Sequence, residues 1–248
     1  MAATKFKPAS LTESLAIAKG TVKKDGQGYL KRVKEVAARS PKHPTHHGIK
    51  MQVHHVISAE GAKRSGVGEK LELFGYNINY LPNLVSIPST LQGACHLKVQ
   101  PHRGNHTAQS ESDSDDDHPS TYHEIIKSAL RDIEPYIPHL CFATHSKQRR
   151  DALREMVDKI SYSLMKQIQN RPRALPLTDV AKYFNQGEVV GCAGLTGVSE
   201  LRNAIKNNPD CSCPSSRSHV GEVAKEQATG TTITYANPVV RYDLKQGY

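Results

Sequence analysis

Residues 51–57 form a short apolar run that carries His54 and His55 side by side. Read as an extended strand, the run must send those two rings to opposite faces, because side chains alternate along a strand. One ring can then bind a metal while the other reaches a water on a different bearing. A second extended run, residues 84–87, is bracketed by Pro82 and Pro88. Thr121-Tyr122-His123-Glu124 is a capping-box pattern, and Ile125, Ile126, Ala129, Leu130 and Ile133 behind it make one apolar helical face that Pro135 ends. The central block therefore reads strand, loop, strand, loop, helix.

The flanks read as mostly helical. Leu11, Leu15, Ala16 and Ile17 fit a short helix ending at Gly20; Tyr29, Val33, Val36 and Ala37 fit a second, stopped by Ser40-Pro41-Lys42-His43-Pro44. Residues 69–74 offer a short helix or turn closed by Gly75. The strongest periodic segment is 147–170, where Leu153, Met156, Val157, Ile160, Leu164 and Ile168 recur at helical spacing. Its Arg149, Arg150, Arg154, Lys159 and Lys166 either face nucleic acid or form a solvated outer face, the commoner case. Residues 171–176 read as a linker. Beyond them a helix over 198–207 and a strand over 231–235 are expected, with no motif that assigns chemistry. The organisation expected is an N-terminal helical segment 1–44, a core 45–140, a long amphipathic helix 141–170 and a C-terminal accessory region 171–248.

The chain's 248 residues suffice to bury a core, and its net charge of +9 points to an acidic partner, nucleic acid before membrane. No apolar run is long enough to cross a bilayer and residues 1–5 lack a hydrophobic signal core, so a cytoplasmic protein, or one exported without a cleaved signal, is expected. The five cysteines, Cys95, Cys141, Cys192, Cys211 and Cys213, are odd in number and irregular in spacing. They read as reduced and mostly structural, and Cys211-Ser212-Cys213 is too close-set for half of a zinc ribbon. Residues 110–117 hold five of the 24 acidic residues. This run reads as a solvated insertion (107–118 at its widest) rather than a calcium loop, or else as a segment that fills a basic groove when substrate is absent.

The chemistry concentrates at three places. His54-His55 is the first, Asn83 the second, and His102-Arg103-Gly104-Asn105-His106 the third. His102 and His106, four residues apart, can converge on one cation from a helix or a turn. Each piece has a plainer explanation: histidines on a basic surface strand, and an ordinary turn asparagine after Pro82. Their joint order and residue types are what a metal-dependent phosphodiesterase requires: a held cation, a base for water, and charge neutralisation at phosphate.

Val53-His54-His55-Val56-Ile57, Gly75-Tyr76-Asn77-Ile78-Asn79 leading to Asn83-Leu84-Val85-Ser86-Ile87-Pro88, and His102-Arg103-Gly104-Asn105-His106 together resemble the AHH branch of the HNH, or ββα-metal, nucleases. Val53 stands where the branch has alanine, and the resemblance covers roughly residues 45–134. It implies an α+β fold: a small ββα-metal core clasping one divalent cation, surrounded by helices, with a C-terminal α+β extension. It further implies that His54, His102 and His106 ligate the metal, that His55 is the general base, and that Asn83 braces the loop and holds the His55 ring. Members of the branch run from His-x-Gly-x-His straight into Pro and a Tyr at the helix start. Here the acidic insertion intervenes before His118-Pro119-Ser120-Thr121-Tyr122, so the last ligand is His106 by spacing to His102, or His118 by adjacency to the helix.

The function expected from the resemblance is a metal-dependent endonuclease acting on DNA with little sequence preference. Its setting would be an antibacterial toxin, such as a type VI secretion effector, neutralised by an immunity protein. Mg²⁺ or Zn²⁺ would serve as cofactor, with Mn²⁺ or Ni²⁺ as alternatives. Two other readings stand beside it: an RNase toxin on the same scaffold, and a non-enzymatic basic nucleic-acid-binding protein whose histidines hold a structural zinc.

Overall fold

The computed structural model describes residues 20–103, 120–137, 147–225 and 230–248. Its centre is a two-stranded antiparallel sheet of β1 (Met51–His55) and β2 (Leu84–Pro88). The register pairs Met51 with Pro88, Val53 with Ser86, His54 with Val85 and His55 with Leu84. Pro88, which cannot donate to a ladder, sits at the strand's end where that costs nothing. Seven α-helices surround the hairpin among the described residues: α1 (Gly28–Ala38), α2 (Ala59–Ser65), α3 (Gly68–Leu73), α4 (Leu91–Leu97), α5 (Ser120–Arg131), α6 (Lys147–Asn170) and α7 (Val198–Asn207). The fold is α+β.

The helices form where caps and apolar spacing agree. α1 buries Val33 and Ala37, four residues apart on one face. Ser58 caps α2 by accepting from Gly61 N at 3.0 Å, and Thr90 caps α4 by accepting from Gly93 N at 3.0 Å. The helix read from a Thr121 capping box instead begins at Ser120, which places Thr121 inside it. Glu124 turns outward and pairs with Arg64 and Lys127. The helix read over residues 11–20 falls on residues 1–19, outside the described ones.

One apolar core joins Val85 and Ile87 of the sheet to Tyr122, Ile126 and Leu130 of α5 and to Leu153, Val157, Leu164 and Ile168 of α6. The packing of α2 on α5 is close: a Cβ placed on Gly61 would lie 2.5 Å from Ile126 Cγ2 and 2.9 Å from Ser58 Oγ. A methyl there overfills the junction, and overpacking typically costs about 1–3 kcal/mol. Gly61→Ala is expected to lose stability of that order in denaturant unfolding; an unchanged midpoint would show that α2 and α5 can separate freely.

The long helix occupies the span read from its periodicity, and Arg154, Lys159 and Lys166 have carboxylate partners in Asp158, Glu155 and Asp243. The segment read as a linker is pinned instead. Gln100 Nε2 donates to Ile168 O and Leu175 O, its Oε1 accepts from Leu177 N, and Leu175 is fully buried. A second core joins Leu91, Ala94 and Cys95 of α4 to Val180, Phe184, Val190, Cys192, Val198, Leu201 and Cys213. The expected strand over 231–235 is reduced to one bridge, between Val223 and Thr232. Residues 246–248 lie along β2, with Gly247 N donating to Leu84 O and Ser86 N to Tyr248 O.

Candidate active site

β1 does with its two histidines what strand geometry demands. His54 and His55 are both buried, and their partners lie in different parts of the molecule. His54 Nδ1 lies 3.1 Å from His102 Nε2, and His54 Nε2 lies 2.7 Å from the Tyr122 hydroxyl on α5. His55 Nε2 lies 3.0 Å from Asn79 Oδ1, and its ring packs against Tyr29 of α1 at 4.5 Å between centroids.

The hydrogen bonds fix the tautomer of each ring. Tyr122 has one hydroxyl proton, and it donates that to Val56 O at 2.6 Å. Towards His54 the hydroxyl can therefore only accept, so Nε2 of His54 carries the proton and Nδ1 presents its lone pair towards His102. The same reasoning applies to His55. Asn79 Nδ2 donates to Lys23 O and Asn77 Oδ1, while Asn79 Oδ1 accepts from Asp25 N. His55 Nε2–H donates to that oxygen, which leaves Nδ1 of His55 as the lone-pair nitrogen.

Electrostatics keep His55 neutral. Burial lowers its pKa from the ordinary 6.5 to about 4; the Asn79 hydrogen bond and the Asp25 charge oppose the shift, and the nearby Lys24 and Arg32 charges add to it. An unprotonated imidazole at neutral pH is the state a general base needs. His43 behaves alike for the same leading reason. It caps the turn Pro44–His47 through Thr45 N and packs against Tyr248, and burial first, then His46, lower its pKa to about 4. For both rings the folded pKa lies below the unfolded value near 6.5. Their contribution to stability is thus complete above pH 6.5 and declines as pH falls from there towards 4. A tenfold difference in proton affinity between the folded and unfolded chain corresponds to about 1.4 kcal/mol. Melting curves from pH 8 to pH 4 are expected to show a falling midpoint below pH 6.5, less steep in His43→Phe; a flat profile would mean that neither ring stays neutral when buried.

Asn83 is placed as a brace. Its Oδ1 accepts from Ile57 N at 2.7 Å, and its Nδ2 donates to Ile57 O and Ile78 O. Ser161 of α6 supports it by donating to Pro82 O, with Asn83 Oδ1 3.2 Å away. The expected second task of Asn83, holding the His55 ring, falls to Asn79. From the turn before β2 the Asn83 side chain is directed at the backbone that leaves β1, whereas Asn79 reaches the ring. The sequence carried a sign of this in Asn77-Ile78-Asn79, since paired asparagines two apart can bond one another and orient one amide. Tyr122 was likewise visible as the tyrosine at the helix start.

His54 Nδ1 and His102 Nε2 suit a cation by their spacing. Two nitrogens each about 2.0–2.1 Å from one ion stand roughly 3.0–3.4 Å apart, depending on the coordination angle, and the observed gap is 3.1 Å. The Tyr122 bond to the far nitrogen of His54 is of the kind that orients imidazoles in metal sites. His106 and His118, the alternatives for the next ligand, lie outside the described residues, as does the acidic run.

Comparison with known proteins gives one result for this region. The model of a nuclease family of the HNH/ENDO VII superfamily with conserved AHH matches residues 30–164, over half of the chain. That span runs from α1, through the hairpin and α5, into α6. Comparisons with curated proteins and with solved structures find no match.

Proposed function

The chain belongs to the AHH family of nucleases in the HNH/ENDO VII superfamily, and from that premise we propose a metal-dependent endonuclease that hydrolyses phosphodiester bonds in DNA with little sequence preference. The observation that carries the reading is the division of the two β1 histidines. His54 turns its lone pair to His102, while His55 keeps a lone pair of its own on the other face.

His54 and His102 would hold the divalent ion, with His106 or His118 completing the set. When bound, the cation supplies charge neutralisation at the scissile phosphate and the leaving 3′ oxygen. His55 Nδ1 takes the proton of the attacking water. Asn79 holds the opposite nitrogen of that ring and so keeps the basic lone pair on Nδ1. Tyr122 does the equivalent for His54, and Asn83 holds the end of β1 against the turn that enters β2. Lys24, close enough to His55 to act on its charge, supplies positive potential where a phosphate would approach. The net charge of +9 adds attraction that is independent of base sequence.

The resemblance to secreted bacterial nucleases supports an antibacterial effector as the setting, with an inhibitor protecting the producing cell. No described helix is long and apolar enough to cross a membrane. The test is parallel incubation of the purified chain with supercoiled plasmid and with total RNA, each with chelator and with Mg²⁺, Mn²⁺, Zn²⁺ or Ni²⁺ supplied in turn. Nicking and linearisation of plasmid with an added cation, and none with chelator, is the expected result. Degradation of RNA alone would move the reading to a ribonuclease, and cleavage that persists in chelator would remove the metal from it.

A further inference from the structure

We propose that Cys95, Cys192, Cys213 and His219 form a closed zinc site that locks the C-terminal region onto helix α4, separate from the cation of the active site. The three thiols and the imidazole offer ligand atoms that all lie within 4.8 Å of one another, and all four residues are buried. Cys192 Sγ is 3.6 Å from Cys213 Sγ and 3.6 Å from His219 Nε2, and Cys213 Sγ is 3.4 Å from His219 Nε2. In a tetrahedron with Zn–S of about 2.3 Å and Zn–N of about 2.0 Å, neighbouring ligands stand roughly 3.5–3.8 Å apart. The separations among Cys192, Cys213 and His219 come close to that range and are too long for the sulfur–sulfur bond of a disulfide, and Cys95 Sγ lies within 4.8 Å of the other three ligand atoms.

The surroundings are built to suit a metal. His219 Nδ1 is 2.8 Å from Glu222 Oε2, which orients the ring with Nε2 facing the sulfurs. Glu222 is held in turn by Gln92 of α4 and by Ser215. A Cβ on Gly191 would lie 2.5 Å from Cys95 Sγ, so only glycine leaves room for that sulfur. The backbone bends sharply after Cys192 and between Cys213 and His219: Ala193, Ser216 and Arg217 take left-handed conformations, with φ of 47°, 48° and 63°. Non-glycine residues hold such angles only where their surroundings impose them. Arg217, nearly buried, donates to Cys95 O, Phe184 O, Asn185 O and Glu188 O. Its charge offsets the net negative charge of three thiolates and a neutral imidazole around Zn²⁺.

Three thiolates select a borderline-soft ion such as Zn²⁺ over Mg²⁺. Four protein ligands leave no position open for water, so this site stabilises rather than reacts. Cys211, the sulfur nearest in sequence to Cys213, is partly exposed and stands outside the cluster.

The experiment measures metal content and melting temperature of the full chain carrying His54→Ala and His102→Ala, which removes two of the proposed active-site ligands. Close to one zinc per chain should remain, should persist on adding Cys211→Ser, and should be lost on adding Cys192→Ser or Cys213→Ser, with a lower melting temperature. Should the cysteine variants fail to fold, Co²⁺ loading of the same His54→Ala, His102→Ala chain gives the second readout: tetrahedral d–d bands and a sulfur-to-cobalt charge-transfer band. Absence of zinc together with absence of those bands overturns the site. A Cys192–Cys213 disulfide in the isolated chain, or zinc retained by both cysteine variants, overturns it equally.

Discussion

Replacing His55 with alanine is expected to cut plasmid cleavage by roughly 10²–10⁴-fold, the usual range for losing a general base, while the fold stays intact. His55 meets the geometric conditions of that role in this chain. Its Nε2–H is committed to Asn79, its other nitrogen carries the lone pair, and burial keeps it unprotonated at neutral pH. Its neighbour His54 faces His102 instead, and His123 faces Ser58. Extra cation should not rescue His55→Ala, since the loss would lie in proton transfer and not in metal affinity. Asn79→Ala should fall in the same direction by a smaller factor, because the ring remains but its tautomer is released. Equal cleavage by His55→Ala and the unmodified chain, at matched metal concentration, would take the base assignment away from this residue.

Tyr122→Phe is expected to lower activity or metal affinity by about 10–100-fold, the common cost of losing an outer partner of a ligating histidine. The hydroxyl serves two groups at once, Val56 O as a donor and His54 Nε2 as an acceptor. Phenylalanine leaves both buried without that partner, which adds a stability cost of about 1–3 kcal/mol. The distinction from His55→Ala is the response to cation: raising its concentration should restore much of the Tyr122→Phe rate. A variant whose rate does not respond to metal, or one with full activity, would show that the hydroxyl does not set the His54 ring.

The hairpin and its histidines were legible because strand alternation and Pro punctuation act over a few residues, a range that sequence displays directly. The long helix was equally clear from six apolar positions at helical spacing. α2 and α4 went unread because each spans only seven residues, too short for a periodic pattern to stand out from an apolar run. Which asparagine meets His55 depends on the path of the turn between residues 77 and 83, and composition does not encode that path. The cysteine cluster was hidden for a similar reason. Cys95 lies on α4 and the other three ligands come from the C-terminal region, so the grouping exists only after the second core has closed. Of Cys211 and Cys213, two residues apart in sequence, only Cys213 joins the cluster.

Under the proposed mechanism, the pairing of β1 with β2 decides which of the two neighbouring β1 histidines would hold the cation and which would serve as base. Sliding β1 by a single position would swap the sides on which the rings emerge and exchange their duties. The clamp of Asn83 on Ile57, together with the exit of Val56 N to Asn83 O, stands where such a slip would have to begin. Alignment of two short strands is thus as much a determinant of this nuclease centre as the identity of any ring within it.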